Sequence, residues 1–350
     1  MKRIKTAGLI SSALVLLLTA CSTGGSKGTP APAPDNKPSQ AGKVTLNWVA
    51  HPAYSLQGTD QKRVEYLKKA VDEWQKKHEN VTLKAEVQST NNNEAMAKLL
   101  EQASQGRAPD LAQIDAYLFP RYIKYLQPLD DYLKKAKLDI NDFFPFAKNV
   151  VTGPDGKIYG IQFTTDTRVL FYRKDLVPNP PKTWDELLET GKKLKAQGYS
   201  AFLVPGGKGE GTTMTSILPF FWGQGGRLVD DNGKAVFGTG PDREKMLNVL
   251  NFYDKAVKEG VLDKKAAGYG NEADLNQEVA IGKLAMFLGG NFQVSQIESI
   301  IGKDGMSKWG VAAIPQKDPG KGATSAGGWA WGIFSKDPAV QQAAFDLIVD

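Results

Sequence analysis

The sequence predicts an α/β protein with two lobes. Strand-like and helix-like segments alternate from Val44 onward, which is typical of a parallel sheet with crossover helices. A second series of the same kind starts at Asp166. The chain has 350 residues, of which 41% are hydrophobic and 23% charged, so it is long enough to form two folded lobes with buried cores.

The N-terminal segment, residues 1–20, has the pattern of a secretory leader. MKRIK is basic, AGLISSALVLLL is apolar but too short for a stable membrane span, and LTAC places small residues before Cys21. This segment resembles a lipoprotein signal peptide, which implies cleavage before Cys21 and acylation of its thiol. The alternative is a secretory leader with an incidental cysteine. Cys21 is the only cysteine, so no disulfide can form within the chain.

A tether is predicted over residues 21–42. This segment is rich in Gly, Ser, Pro and Ala and has almost no large apolar side chains, so it cannot build a core. No later run reaches membrane-spanning length. We therefore expect a soluble body, starting at Lys43, that its lipid anchor holds on the extracellular face of a bacterial cell membrane.

The N-terminal lobe is expected over residues 43–164. Its apolar residues follow period two in the strands and helical spacing between them. In chain order we expect strand 44–50, a helix with Val64, Leu67, Val71 and Trp74, strand 81–87, a helix with Met96, Leu99, Leu100 and Ala103, and strand 110–115.

Polar and aromatic side chains follow all three of these strands. Ligands of open parallel sheets bind at the carboxyl ends of the strands. We therefore expect ligand contacts to come from a set at this edge, composed of His51, Tyr54, Asn91, Asn92, Asn93, Asp115 and Tyr117.

The C-terminal lobe is expected over residues 165–323. Thr183 and Glu186 have the spacing of a capping box, and Asn232-Gly233 is typical of a hairpin turn. In chain order we expect strand 168–172, a helix with Trp184, Leu187, Leu188 and Leu194, strand 200–205, the hairpin, a helix with Met246, Leu250, Tyr253 and Val257, and strands 284–288 and 309–315.

The segment SAGGWAWGI, residues 325–333, is predicted to be a strand. Period two places Trp329 and Trp331 on the same face, and the flanking glycines leave space for something to approach that face. Packing in the core and contact with a ligand are both open for these rings. A helix is expected to follow from about Pro338.

Several classes of chemistry lack their usual residues. The chain has two histidines and contains no HExxH, CxxC, G-x-S-x-G or phosphate-loop motif, so we expect no metal and no cofactor. Without Lys2, Arg3 and Lys5 of the leader, 41 basic residues face 38 acidic ones, and this charge of +3 does not favour nucleic acid. A glycosidase that uses Asp115 and Asp166 as acid and base stays open.

Six motifs resemble those of a known family. They are APDLAQID, TTDTRVLFYRKDL, FYRKDLVPNPPKTW, LPFFWGQGGRLVDDNGKAVF, GKLAMFLGGNF and AGGWAWGI. Together they resemble the maltose-binding-protein-like extracellular solute-binding proteins of ABC importers, from Val44 to the last residue. The resemblance implies a type II periplasmic-binding-protein fold, with hinge-connected lobes and a carbohydrate in the central cleft. It also implies permease subunits as partners, a monomer without enzymatic activity, and a second hinge crossing followed by a return to the N-lobe over residues 324–350.

The resemblance also implies positions for four residues. Asp115 matches an acidic residue that accepts sugar hydroxyls, and Asp166 matches an acidic residue just past the first hinge crossing. Phe292 matches an aromatic residue that stacks on a sugar face, and Trp329 matches the aromatic residue of the GGW pattern at the second crossing. Arg168 points to the same side of its strand as Asp166, and it either orients that carboxylate or donates to a ligand hydroxyl.

Two further expectations follow from the comparison with the family pattern. The chain stops at Asp350 inside a helix pattern, whereas family members continue, so we expect that C-terminal parts of the fold and of the site are absent. A non-sugar ligand, such as a polyamine, a metal chelate or a glycerophosphodiester, is the alternative for the same receptor fold.

Overall fold

The computed structural model describes residues 42–58, 60–209 and 211–350. The predicted leader, nearly all of the predicted tether and the acylation site Cys21 lie outside the described residues. Within the described part of the chain, no helix combines the length and the apolar character needed to cross a membrane.

The first lobe is built on a five-stranded sheet with the order β2-β1-β3-β10-β4. As predicted, β1 is parallel to both β2 and β3, whereas β10 is antiparallel to β3 and β4. The elements are β1 (Val44–Ala50), α1 (Gln61–Lys77), β2 (Val81–Val87), α2 (Asn92–Ser104), β3 (Leu111–Asp115), α3 (Asp130–Ala136), α4 (Pro145–Val151) and β4 (Ile161–Gln162).

The second lobe has its own sheet, with the order β6-β7-β5-β8. The predicted capping box is present, because the Thr183 side chain accepts from the Glu186 backbone at 3.2 Å and the Glu186 side chain accepts in return. The elements are β5 (Asp166–Arg173), α5 (Trp184–Ala196), β6 (Ser200–Leu203), α6 (Leu218–Trp222), α7 (Gly240–Lys258), α8 (Asn276–Ile281), β7 (Leu284–Gly290), α9 (Gln293–Ser307) and β8 (Trp309–Ala312).

Three details of the second lobe differ from the prediction. Strand β6 ends at Leu203 instead of continuing to 205, and strand β8 ends at Ala312 instead of continuing to 315. On α7 the buried residues are Val249, Phe252 and Ala256, while Leu250 is 49% exposed, so the buried face is rotated by one residue from the predicted stripe. The α/β class and the two lobes, each with its own apolar core, are confirmed.

Two short segments connect the lobes side by side. Residues 163–165 lead from β4 into β5, and β9 (Ala326–Gly327) pairs with the start of β5 before β10 (Trp329–Ile333) enters the first sheet. The final helix, α10 (Pro338–Val349), then packs on β1.

The glycines of the second crossing allow the two connecting segments to lie close together. Gly328 has a φ of 136°, and a Cβ at this position would overlap the Thr164 carbonyl oxygen of the first crossing. At Gly327 a Cβ would lie 2.8 Å from Asp166 Oδ1 and 2.9 Å from the Tyr117 ring. The space that the sequence assigned to an approaching group is therefore filled by the protein's own backbone and side chains.

Candidate functional site

Asp115 forms part of the site at the end of β3, where the sequence predicted it. The side chain is 8% exposed, and its Oδ1 accepts from the Tyr117 backbone N–H at 2.9 Å. Its Oδ2 accepts from Asn92 Nδ2, also at 2.9 Å. Since both oxygens accept from neighbouring donors, the carboxylate has a fixed orientation at the strand edge.

Trp329 lies directly beside this carboxylate, because β10 pairs Trp329 with Asp115 in the sheet. The ring of Trp329 packs on the ring of His51, with centroids 4.1 Å apart. Three residues predicted from different parts of the chain, namely His51, Asp115 and Trp329, therefore meet on the first lobe.

His51 is neutral near pH 7. Burial, and then the positive charge of Arg63, lower the pKa of His51 from its ordinary 6.5 to about 4. Its Nδ1 accepts from the Ala53 backbone N–H at 3.2 Å, so Nε2 carries the proton of the neutral ring. His51 thus offers a hydrogen-bond donor without a charge.

Trp331 has other ring neighbours than Trp329, although both pack in the apolar core of the first lobe and Trp329 is the more buried of the two. The Trp331 ring stacks on Phe163 at 5.0 Å and packs against Trp48 at 5.8 Å. It is partly buried against the apolar core of the first lobe. These contacts support the packing alternative for Trp331.

Arg168 is the centre of the site on the second lobe. It lies on β5 with Asp166, and its Nη1 donates to Asp166 Oδ1 at 2.5 Å and to the Tyr117 hydroxyl at 2.7 Å. Its Nε donates to Glu272 Oε1 at 2.9 Å, and the Thr215 hydroxyl donates to the same oxygen. The guanidinium therefore joins two carboxyl groups of its own lobe to a tyrosine of the other lobe.

Glu272 is the residue that sequence reasoning missed. It is 5% exposed and starts a short 3₁₀ turn in the segment NEADL. No motif or periodicity marks it, because its partner Arg168 is 104 positions away in the chain. The one available signal is an acidic residue, between Asn271 and Ala273, directly after a Gly-rich loop, which many surface turns share.

The electrostatics of this cluster reflect burial. Burial raises the pKa of Asp166, although Arg168 opposes that shift, and burial also raises the pKa of Tyr117. Burial alone would lower the pKa of Arg168, but Glu272 first, and then Tyr117 and Asp166, hold it above its ordinary value. Arg168 therefore stays charged and remains bonded to these three residues.

Phe292 completes the junction of the lobes. The Arg168 guanidinium lies 6.0 Å from the centre of the Phe292 ring and 5.3 Å from that of Tyr117. A Cβ at Gly290 would overlap the Phe292 ring, so this glycine lets the ring fold back onto β7. The aromatic residue of the GGNF motif is thereby near Asp166 and Arg168.

A separate cavity of about 550 Å³ lies on the first lobe, between β1, β2 and α2. Charged side chains of both signs line it, including Lys84, Glu86 and Lys98. None of the predicted ligand contacts lines this cavity. We place the candidate site at the junction of the lobes, because the predicted aromatic and carboxyl groups converge there.

The sequence profile of bacterial extracellular solute-binding proteins matches residues 58–348. The chain belongs to this family. The Probable ABC transporter-binding protein of Deinococcus radiodurans is 28% identical over 89% of this chain and 72% of its own length. The maltooligosaccharide ABC transporter solute-binding lipoprotein of Streptococcus pneumoniae is 29% identical over 53% of this chain. The chain matches only 43% of the length of that streptococcal solute-binding protein.

A solved structure of the same family supports the fold. The ABC transporter solute-binding protein of Thermotoga lettingae, bound with α-D-tagatose, superposes with a TM-score of 0.70 and 28% identity. The match covers 87% of this chain and 76% of that one. The type II two-lobe architecture of solute-binding proteins is therefore confirmed for this chain.

Proposed function

We propose that this solute-binding protein is a non-enzymatic receptor that binds a sugar or oligosaccharide between its lobes and delivers it to the permease of an ABC importer. The observation that carries the proposal is the convergence of His51, Trp329 and Asp115 on one lobe with Asp166 and Phe292 on the other. Pyranose rings have an apolar face and peripheral hydroxyls, so they need flat aromatic surfaces together with hydrogen-bond acceptors.

Each of these residues has a proposed role. Trp329 and Phe292 stack on sugar faces. Asp115 and Asp166 accept hydrogen bonds from sugar hydroxyls, and the His51 Nε2–H donates to a hydroxyl oxygen. Tyr117 borders the same site from the first lobe. Of the two alternatives for Arg168, its bond to Asp166 supports the orienting one.

The charges of the site favour a neutral ligand. Arg168 already forms ion pairs with Asp166 and Glu272. It is therefore not available to neutralise the phosphate of a glycerophosphodiester. Asp115 accepts from an amide and a backbone N–H, which satisfies it without a cationic ligand. These pairings count against both the phosphodiester and the polyamine alternatives.

Titration calorimetry of the full mature protein tests the ligand class. The panel contains mono- and oligosaccharides, spermidine and a glycerophosphodiester. We expect heat of binding for at least one sugar, and loss of that signal in Trp329→Ala measured at a temperature where the variant is folded. Binding of a charged solute alone would exclude the sugar assignment.

A glycosidase is the competing function, and the same protein preparation tests it. Release of reducing ends from a polysaccharide panel, abolished by Asp166→Asn, would establish catalysis. We expect no release, because Asp166 is bound to Arg168 and both oxygens of Asp115 accept hydrogen bonds.

We further propose that acylated Cys21 anchors a monomer to the outer face of the cell membrane, with lobes over 43–164 and 165–323 and the return segment over 324–350. The streptococcal relative is a lipoprotein, which supports the anchor. Cys21→Ser should move the protein from the membrane fraction to the medium. Intact-mass measurement of the wild type should show the acyl chains, and light scattering should give the monomer mass.

A further inference from the structure

Arg168 makes a direct contact between the two lobes. Its Nη1 donates to the Tyr117 hydroxyl at 2.7 Å, and Tyr117 follows β3 of the first lobe whereas Arg168 lies on β5 of the second. We propose that this pair is a latch, in which Arg168, held by Glu272 and Thr215, binds Tyr117 and favours the closed arrangement of the lobes. The latch regulates the site assigned under the proposed function, and its effect on ligand affinity rests on that function.

The guanidinium is held in place from its own lobe. Glu272 Oε1 accepts from Arg168 Nε at 2.9 Å, and the fully buried Thr215 hydroxyl donates to the same oxygen. The Arg168 side chain is 8% exposed and that of Glu272 7%. Because both partners are buried and fixed, little conformational entropy is lost when Arg168 binds a group of the other lobe.

The neighbouring glycine makes room for Tyr117. At Gly327, on the second crossing, a Cβ would lie 2.9 Å from the Tyr117 ring and 2.8 Å from Asp166 Oδ1. Only a residue without a side chain lets the ring come this close to the start of β5. Arg168 also lies 5.3 Å from the centre of the Tyr117 ring, so the cation contacts both the hydroxyl and the face of the ring.

A latch of this kind acts through the populations of open and closed lobes. A hydrogen bond to a charged group that exists only in the closed arrangement shifts the ratio of the two by about tenfold, equivalent to about 1.4 kcal/mol. The closed arrangement is the one that encloses a ligand from both lobes, so a latch that favours it raises the apparent affinity.

The test measures the distance between the lobes without any ligand. Spin labels are attached through Glu65→Cys on α1 and Glu189→Cys on α5, both exposed, in the full chain carrying Cys21→Ser. Pulsed dipolar spectroscopy then compares the parent with Tyr117→Phe, which removes only the hydroxyl. Tyr132→Phe is the matched control, because its hydroxyl bonds Gln341 at 2.9 Å within the first lobe.

We expect Tyr117→Phe to raise the ratio of long to short distances by about tenfold, while Tyr132→Phe leaves it unchanged. Thr215→Val, which acts on Arg168 through Glu272, should shift the ratio in the same direction. An unchanged distribution in Tyr117→Phe, or an equal change in Tyr132→Phe, overturns the latch. Calorimetry keeps the two proposals apart: a parent that binds no sugar refutes the receptor function, whereas the ligand-free distances decide the latch.

Discussion

The depressed pKa of His51 makes the stability of the first lobe depend on pH in a specific window. Its folded-state pKa is about 4, against 6.5 for the free side chain, chiefly because of burial and then because of Arg63. The stability linked to this histidine is fully present above pH 6.5. It is lost as the pH falls from 6.5 to 4, because the unfolded state binds the proton and the folded state does not.

The size of the loss follows from the two pKa values. One pKa unit corresponds to about 1.4 kcal/mol, so the free energy of unfolding should fall by about 1.4 kcal/mol between pH 7.5 and 5.5. The total loss near pH 4 should be about 3 kcal/mol. The change at pH 5.5 corresponds to a Tm lower by about 2 °C.

The assay is urea unfolding at pH 7.5, 5.5 and 4.5, comparing wild type with His51→Gln. Other groups titrate in both proteins, so the difference between the two slopes isolates His51. Arg63→Gln removes the second cause of the shift and should reduce the loss. If His51→Gln has the same pH slope as the wild type, the ring is not held neutral by burial and the proposed uncharged donor at the site is wrong.

Four other substitutions separate binding from folding. Trp329→Ala should weaken sugar binding by at least about tenfold, which calorimetry measures. Trp331→Ala should lower the free energy of unfolding, measured in urea, by about 3 kcal/mol and should leave the sugar affinity within about twofold of the wild type. Asp166→Asn should abolish binding without lowering stability at pH 7, because burial raises the pKa of Asp166 and its ionisation therefore opposes folding. Any stability gain should shrink once the pH falls below the raised pKa and should vanish near the ordinary value of 3.8. Gly328→Ala should cost more than about 1 kcal/mol, since it combines a φ of 136° with an overlap at Thr164, and an unchanged unfolding midpoint would contradict this.

The sequence predicted the elements well where local rules decide them. Period two and helical spacing identified β1, α1, β2, α2 and β3, and the capping box at Thr183 marked the start of α5. Those features depend on residues within a few positions of one another. The edge of the sheet was also predictable, because parallel strands bring their carboxyl ends together.

The remaining residues of the site are far apart in the sequence, and periodicity and capping rules relate only residues that are close in the sequence. Glu272 is 104 positions from Arg168, and Tyr117 is 51 positions from it, so no spacing connects them. The sequence predicted that the glycines before Trp329 leave space for an approaching group. The group that fills the space is Thr164 of the other crossing, whose position only the three-dimensional structure reveals.

The same side chains that border the proposed ligand also determine how the lobes meet. Tyr117 uses its backbone N–H to fix Asp115 of the first lobe and its hydroxyl to accept from Arg168 of the second. A substitution at Tyr117 therefore changes lobe closure even when it removes no ligand contact. Because a ligand's apparent affinity includes the fraction of closed protein, affinity alone cannot assign a role to Tyr117. Thr215→Val acts on Arg168 through Glu272, so the ligand-free distance between the lobes in this variant reports on the latch separately from any ligand contact.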